Sequence, residues 1–326
     1  MNKKLYNRGM IGQWWYNATE VLALALTYRP VPKELGYCKK VSYGSEKNNY
    51  MNVFCRKDLV DVKKPLFIYI HGGGWISGLM TMRNQYVTKW AQKGFYAASL
   101  NYSYAPQKIY PTPIQELFTA IDQICDKAEK DNIDIENIVI SGESAGGYYI
   151  AYIAACLANA ELFDKLGIEF RHKDKVKINS LVSHCGCYDL ERLTDKTKPQ
   201  SKFPDIKMMC TTFAGMPMKE LLEHLKTPEG KLMSPQITKN FPRSFLVWGA
   251  MDFLRYETFD LSEQLKALGV EHKTYKADGL TSPHAWSIVT MLKKSKNCLK
   301  ETFDFVLPCL PDYFEKQDNE WKFKSR

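Results

Sequence analysis

The sequence predicts an α/β fold: a mostly parallel central sheet flanked by helices, with a small lid or cap. Two observations carry that prediction. Strand-like apolar runs alternate with helical patterns along most of the chain, as a sheet built from crossover units requires. One interval, 190–241, breaks the alternation: it is long, polar and dotted with Pro199, Pro204, Pro217, Pro228 and Pro235. A connection of that length is unusual in a compact domain unless it is functional, so it reads as an insertion. Its length of 326 residues, 45% of them apolar, leaves ample material for one large core.

The elements follow in order. The first sixty residues give weak signals: Lys3, Lys4 and Arg8, the aromatic group Trp14, Trp15, Tyr16 and Tyr28, and a short apolar run from Val21 to Leu26 preceded by Glu20. That run is too weak for a clear signal peptide and too short to span a bilayer. The aromatic group is expected to fold against the lid. Runs rich in β-branched and aromatic residues place strands near 52–55, 66–70, 96–102, 137–141, 178–184, 244–248 and 273–276. Between and after them, helical patterns fall near 85–93, 113–130, 147–159, 219–226, 258–268 and 288–299. The expected organisation is an N-terminal segment over 1–60 that gives part of the cap and the first strands. The first half of the core follows over 61–189, the lid over 190–241, and the second half of the core over 242–326.

Chemistry concentrates where strands end. Gly142-Glu143-Ser144-Ala145-Gly146 follows the strand Ile138-Val139-Ile140 and precedes a run of small residues. A Gly-x-Ser-x-Gly between strand and helix is a nucleophile elbow: the turn is so sharp that it holds the serine in strained geometry with its hydroxyl projecting. The helix that starts there also points its positive end at the serine. His71-Gly72-Gly73-Gly74-Trp75 follows the buried strand at 66–70. Consecutive glycines leave backbone N–H groups bare, and donors fixed on a developing oxyanion are worth about 3 kcal/mol each. Gly73, Gly74 and the N–H of Ala145 are therefore the candidate oxyanion hole. A phosphate loop would end in Lys-Ser or Lys-Thr, which is missing here.

These two motifs together resemble the hormone-sensitive-lipase-like branch of the α/β-hydrolase superfamily, an esterase and lipase branch. Asn101-Tyr102-Ser103-Tyr104-Ala105-Pro106 is similar to that branch's Tyr-Arg-Leu-Ala-Pro segment, and the likeness runs from about residue 64 to 286. The resemblance implies an α/β-hydrolase fold, a cofactor-free Ser-His-Asp mechanism and carboxylic esters as substrates.

Serine at its ordinary pKa needs a base, and that base needs a carboxylate to hold its tautomer. Three histidines lie well downstream of Ser144. His224 sits on an amphipathic helical pattern and His272 opens a strand, whereas His284 lies in a loop, where catalytic side chains gather. His284 is also set in the His-Ala-aromatic context that the resemblance implies for the triad histidine. Asp252 ends the strand 245–248 and opens Asp-Phe-Leu-Arg-Tyr-Glu, which resembles the branch's Asp-Pro-Leu-x-Asp-Glu. Phe253 and Tyr256 depart from that pattern, but the acid position, Asp252, is kept. Glu257 and Asp278 are alternative acids, each expected to be a solvated surface charge. Trp75, Phe213 and Met216 are candidate pocket residues, within a wider set that includes Phe203, Met208, Met209 and Met218. His71 is expected to structure its loop, and Glu143 has no assigned role.

The net charge is +9, but basic residues are interleaved with acids, so no stripe points to nucleic acid. The nine cysteines form no framework, and the trio His184, Cys185 and Cys187 lacks the second ligand cluster of a metal site. No metal and no cofactor is expected. Free thiols fit a reducing compartment, hence the cytoplasm. The expected partner is a small-molecule ester; oligomeric state is open, a homo-oligomer included.

The reading is therefore a serine hydrolase, a short- to medium-chain carboxylesterase acting through an acyl-enzyme. Amide hydrolysis, by an arylformamidase or peptidase, uses the same triad and is the first alternative. A non-catalytic ligand-binding protein on the same fold is the second.

Overall fold

The computed structural model describes residues 1–324; the last two residues of the expected 242–326 segment and the Leu26 side chain lie outside the described residues. The chain opens with a long helix, α1 (Lys3–Thr27), whose first turn is capped by Asn2 Oδ1 accepting from Leu5 N–H at 2.9 Å. It continues through β1 (Leu35–Ser42), β2 (Tyr50–Arg56), β3 (Lys64–Ile70), α2 (Met80–Lys93), β4 (Tyr96–Leu100) and α3 (Thr112–Asp126). Next come β5 (Ile133–Glu143), α4 (Ala145–Ala158), α5 (Glu161–Lys165) and β6 (Ile178–His184). The lid holds α6 (Leu190–Thr194), a 3-10 turn (Pro199–Lys202), α7 (Ile206–Ala214), α8 (Met218–His224) and α9 (Pro228–Lys231). The chain closes with β7 (Ser244–Gly249), α10 (Arg255–Ala267), β8 (His272–Ala277), α11 (Lys293–Val306) and the hairpin β9 (Phe314–Gln317) to β10 (Glu320–Phe323).

Eight strands form one sheet in the order β1-β2-β4-β3-β5-β6-β7-β8. β1, β2 and β4 pair antiparallel, and every pairing from β4 to β8 is parallel. Parallel strands are buried on both faces, and their side chains alternate between two core clusters. Leu66, Ile68 and Ile70 of β3, with Ile138 and Ile140 of β5, join the cluster under α3, α4 and the lid. Phe67 and Tyr69, with Val139, Val182, Phe245 and Val247, join the opposite cluster under α2 and α11. Phe67 stacks on Trp90 of α2 with ring centroids 4.3 Å apart. Full burial of such a side chain is worth about 2–3 kcal/mol.

The seven expected strands are present, as are six expected helices with shifted ends. The expected 288–299 helix begins later, as α11 at Lys293, after a 3-10 turn at Trp286–Ile288. Sequence patterning missed α1, β1, the short helices α5, α6 and α9, the lid helix α7 and the C-terminal hairpin. For α1 the reason is physical: it is apolar on opposite faces, so no single stripe marks it.

Candidate active site

Four parallel strands deliver the candidate groups to one edge of the sheet. β3 runs into His71–Trp75, β5 into Ser144, β7 toward Asp252, and β8 into the loop bearing His284. All lie beyond carboxyl ends of strands, where sites of open α/β sheets gather.

Ser144 sits between β5 and α4 at φ 55°, ψ −122°, a conformation costly for any residue with a side chain. Its N–H donates to the His184 carbonyl at 3.0 Å, which ties the elbow to β6. The turn depends on close approach: a Cβ on Gly146 would stand 2.1 Å from the Ile70 carbonyl oxygen. Trp75 (φ 64°), Cys185 (φ 52°) and Ala285 (φ 58°) share the rare positive φ, and all lie in loops around the same centre.

Asp252 is fully buried; its Oδ1 accepts from His284 Nδ1 at 2.8 Å and from Leu254 N–H at 3.0 Å. The imidazole is thereby fixed by one nitrogen, while Nε2 makes no hydrogen bond to the protein among the described residues. Ser144 and His284 line one cavity of about 190 Å³ with Gly73, Gly74, Trp75, Ala145, Phe203, Ile206, Met209 and Phe253. No hydrogen bond joins Ser144 Oγ to His284 among the described residues. The N–H groups of Gly73 and Gly74 donate to no protein acceptor among the described residues, and Ala145 opens α4, where N–H groups lack intrahelical partners. A larger open hollow of about 840 Å³ between α2, α11 and the C-terminal hairpin holds none of these groups, so volume does not mark the site.

Residues the sequence left unassigned complete the surroundings. The Glu143 carboxylate, buried behind the elbow, accepts from Tyr69 OH and from Arg83 Nε at 2.7 Å. Burial alone would raise its pKa, but Arg83 and Tyr69 hold it below the ordinary value, so it stays charged. Arg83 reaches on to Glu20 of α1 at 2.9 Å, joining the N-terminal helix to the floor of the site. His71 is fully buried, with Nδ1 2.7 Å from the Gly72 carbonyl and Nε2 2.8 Å from Asn101 Oδ1. Burial lowers its pKa, and it holds the glycine loop as expected. Asn101, the asparagine of an Asn-x-Ser pattern, is committed to this network.

Cys185 Sγ, an Asp252 oxygen and a His284 nitrogen lie within 4.8 Å of one another. Burial, then the Asp252 charge, raises the Cys185 pKa, so its thiol stays protonated and faces the carboxylate as a weak donor rather than a thiolate ligand. Asp252 Oδ2 makes no hydrogen bond among the described residues.

Several expectations need correction. Phe213 and Met216 do not border the cavity. Phe213 is buried behind Trp75, stacked on it at 4.9 Å, and Met216 is half-buried beyond the end of α7. The helix presents Ile206 and Met209 to the cavity, and Phe213, one turn further, has passed its rim. Met208 packs on α1 instead. Phe253, where the related pattern has proline, stacks on Phe203 of the lid at 4.0 Å and lies 4.6 Å from the His284 ring. Glu257 is not a surface charge: it is fully buried, and accepts from Tyr188 and Asp189 N–H, Gln200 and Arg192. Asp278 is exposed and pairs with Lys276 at 2.6 Å. His224 and His272 lie outside the cavity. α1 does fold against the lid, with Tyr16 OH donating to Asp205 at 2.6 Å, but Trp14, Trp15 and Tyr28 point to solvent.

With this geometry in place, a model of the BD-FAE family matches residues 51–254, well over half the chain. The chain belongs to the BD-FAE family. The matched span of this BD-FAE chain runs from β2 through the Ser144 elbow to the Asp252 loop. Esterase LipC of Mycobacterium tuberculosis is 24% identical over 216 residues, 66% of this chain and 51% of LipC, so the chain spans about half of that relative's length. An esterase of Gibberella moniliformis is 22% identical over 251 residues, 74% of this chain and 73% of its own. Among solved structures, inhibited esterase B from Lactobacillus rhamnosis superposes with a TM-score of 0.78 at 17% identity, covering 95% of this chain and 98% of that one. That likeness carries the fold: an α/β-hydrolase. No helix among the described residues is long and apolar enough to cross a membrane.

Proposed function

We propose that this BD-FAE protein is a serine hydrolase of carboxylic esters. The observation that carries the reading is the strained Ser144 facing the same small apolar cavity as the buried Asp252–His284 pair. Esterase relatives and esterase neighbours in fold support it. In the reaction, His284 takes the Ser144 proton as the hydroxyl attacks the ester carbonyl. The N–H groups of Gly73, Gly74 and Ala145 hold the oxyanion. His284, kept in its tautomer by Asp252, then protonates the leaving alcohol, and water repeats the sequence on the acyl-enzyme. A cavity of about 190 Å³, walled by Trp75, Phe203, Met209 and Phe253, supports short- to medium-chain acyl groups. The nine unpaired cysteines support a reducing, cytoplasmic setting.

Turnover of p-nitrophenyl esters graded by chain length tests this. Ser144→Ala is expected to lower kcat by about 10⁶-fold and to abolish labelling by a fluorophosphonate, with the melting temperature kept. Retained turnover in that variant would place the nucleophile elsewhere. Faster cleavage of formanilides or peptides than of esters would move the assignment to amides.

A further inference from the structure

Helix α1 presents two apolar faces, and only one has a partner among the described residues. Its inner face rests on α7 and the cavity. There Gly12 lets the helices touch, since a Cβ would stand 2.7 Å from Met208 Cε, and Glu20 meets Arg83. On its outer face Ile11, Trp14, Trp15, Val21 and Leu22 are 69%, 70%, 60%, 58% and 67% exposed. With the exposed Ala18 and Ala25 these positions repeat at three- and four-residue spacing, so they form one strip about 20 Å long. A strip of this size, holding two tryptophans, marks an interaction surface.

The charges around the strip say what covers it. Lys3, Lys4 and Arg8 are exposed at one end, and Arg29 and Lys33 follow the other. None of these pairs with a carboxylate among the described residues, and Glu20, the one acid of α1, is turned inward. Residues 1–34 carry one exposed acid, Glu34, against these five cations, so a second copy docked on this face would meet mostly like charge. An anionic lipid surface supplies both what the strip needs and what its ends need. Tryptophan rings sit at headgroup level, apolar side chains enter the acyl boundary, and lysines and arginines meet lipid phosphates.

We infer that α1 is a membrane-surface helix that docks this protein on anionic bilayers. The inference does not rest on the esterase reading, since binding is measured without turnover. Because Tyr16 and Glu20 of the inner face line the cavity, docking holds the cavity about one helix diameter from the lipid.

Co-sedimentation with phosphatidylcholine vesicles, with and without an equal share of phosphatidylglycerol, tests it. Binding is expected to be about 10-fold or more stronger with phosphatidylglycerol, and to weaken with salt. The double variant Trp14→Ser/Trp15→Ser should lose about 10-fold of that binding with circular dichroism and melting temperature unchanged. Val21→Ser/Leu22→Ser should behave alike, and Lys3→Glu/Lys4→Glu should remove the preference for the anionic lipid. No binding to the anionic vesicles at low salt, or equal binding by both apolar variants, would overturn the inference. So would a dimer, seen by light scattering, that binds no vesicles and that Trp14→Ser/Trp15→Ser dissociates; the face would then belong to a second copy.

Discussion

Asp252 illustrates how a single buried carboxylate is made useful. One oxygen is satisfied twice, by His284 Nδ1 and Leu254 N–H, the other makes no hydrogen bond among the described residues, and the Cys185 thiol lies beside the carboxylate. Removing the charge while keeping the shape should leave the fold intact and favour the wrong imidazole tautomer. Asp252→Asn is therefore expected to lower kcat by about 10⁴-fold in an ester assay, with far less effect on KM. The thiol's share is separable. Cys185→Ala removes the weak donor beside the buried carboxylate, a loss expected to cost about 1–3 kcal/mol in denaturant unfolding. Cys185→Ser restores a hydroxyl donor and should recover most of it. If both variants unfold alike, the contact with Asp252 contributes nothing and only the volume of the side chain matters. The glycine motifs and Ser144 stood out in the sequence because backbone geometry restricts which residues can stand there, and Asp252 because it follows a strand in a pattern resembling the branch's Asp-Pro-Leu-x-Asp-Glu. Cys185 was not, because its meeting with Asp252 joins the ends of two strands far apart in the chain.

Among the elements, the lid is held by one buried carboxyl group. Glu257 lies in the first turn of α10 and gathers donors from Tyr188, Asp189, Arg192 and the 3-10 turn residue Gln200. Glu257→Ala leaves the Tyr188 and Asp189 N–H groups and the Gln200 amide without their buried acceptor, while Arg192 keeps Asp260 at 3.3 Å, so a loss of about 1–3 kcal/mol is expected. The variant should be cut within 190–241 by trypsin far sooner than the parent. Equal cutting would show that the lid is anchored elsewhere, for instance by the Phe203–Phe253 stack. A signal for this role did exist in the sequence. Glu257, Leu261 and Leu265 fall at four-residue intervals, and both leucines are fully buried, so the period placed the glutamate on the inward stripe. The pocket face of α7 was harder to read. Its Met208, Met209 and Phe213 are all apolar and all buried, and only the packed structure says which of them faces the cavity rather than α1 or Trp75.

For the molecule as a whole, two buried neutral histidines set its response to acid. His184 bridges Tyr86 of α2 and Ser287 of the loop after His284, and burial holds its pKa down to about 4. Burial lowers that of His71 as well. Unfolding returns both to the ordinary value near 6.5. Below about pH 6.5 the unfolded chain therefore binds more protons than the folded one, and stability falls with pH. The contribution is present in full above pH 6.5 and lost as pH drops through about 4, with the His184 part roughly 3 kcal/mol. Urea midpoints measured across that window should fall in the parent and fall less in His184→Gln. A parallel decline in both would assign acid sensitivity to other groups.

The sequence by itself determined the α/β-hydrolase core and the four strand ends that carry the candidate groups. Strand alternation, an elbow that tolerates only small neighbours and a run of three glycines are local constraints, written in adjacent residues. It did not determine α1, the inward turn of Glu257, the side of α7 that meets the cavity or the thiol beside the acid. Those depend on which apolar surfaces find each other once the sheet has formed. Packing at that distance leaves no period of its own along the chain, so only the tertiary structure decides it.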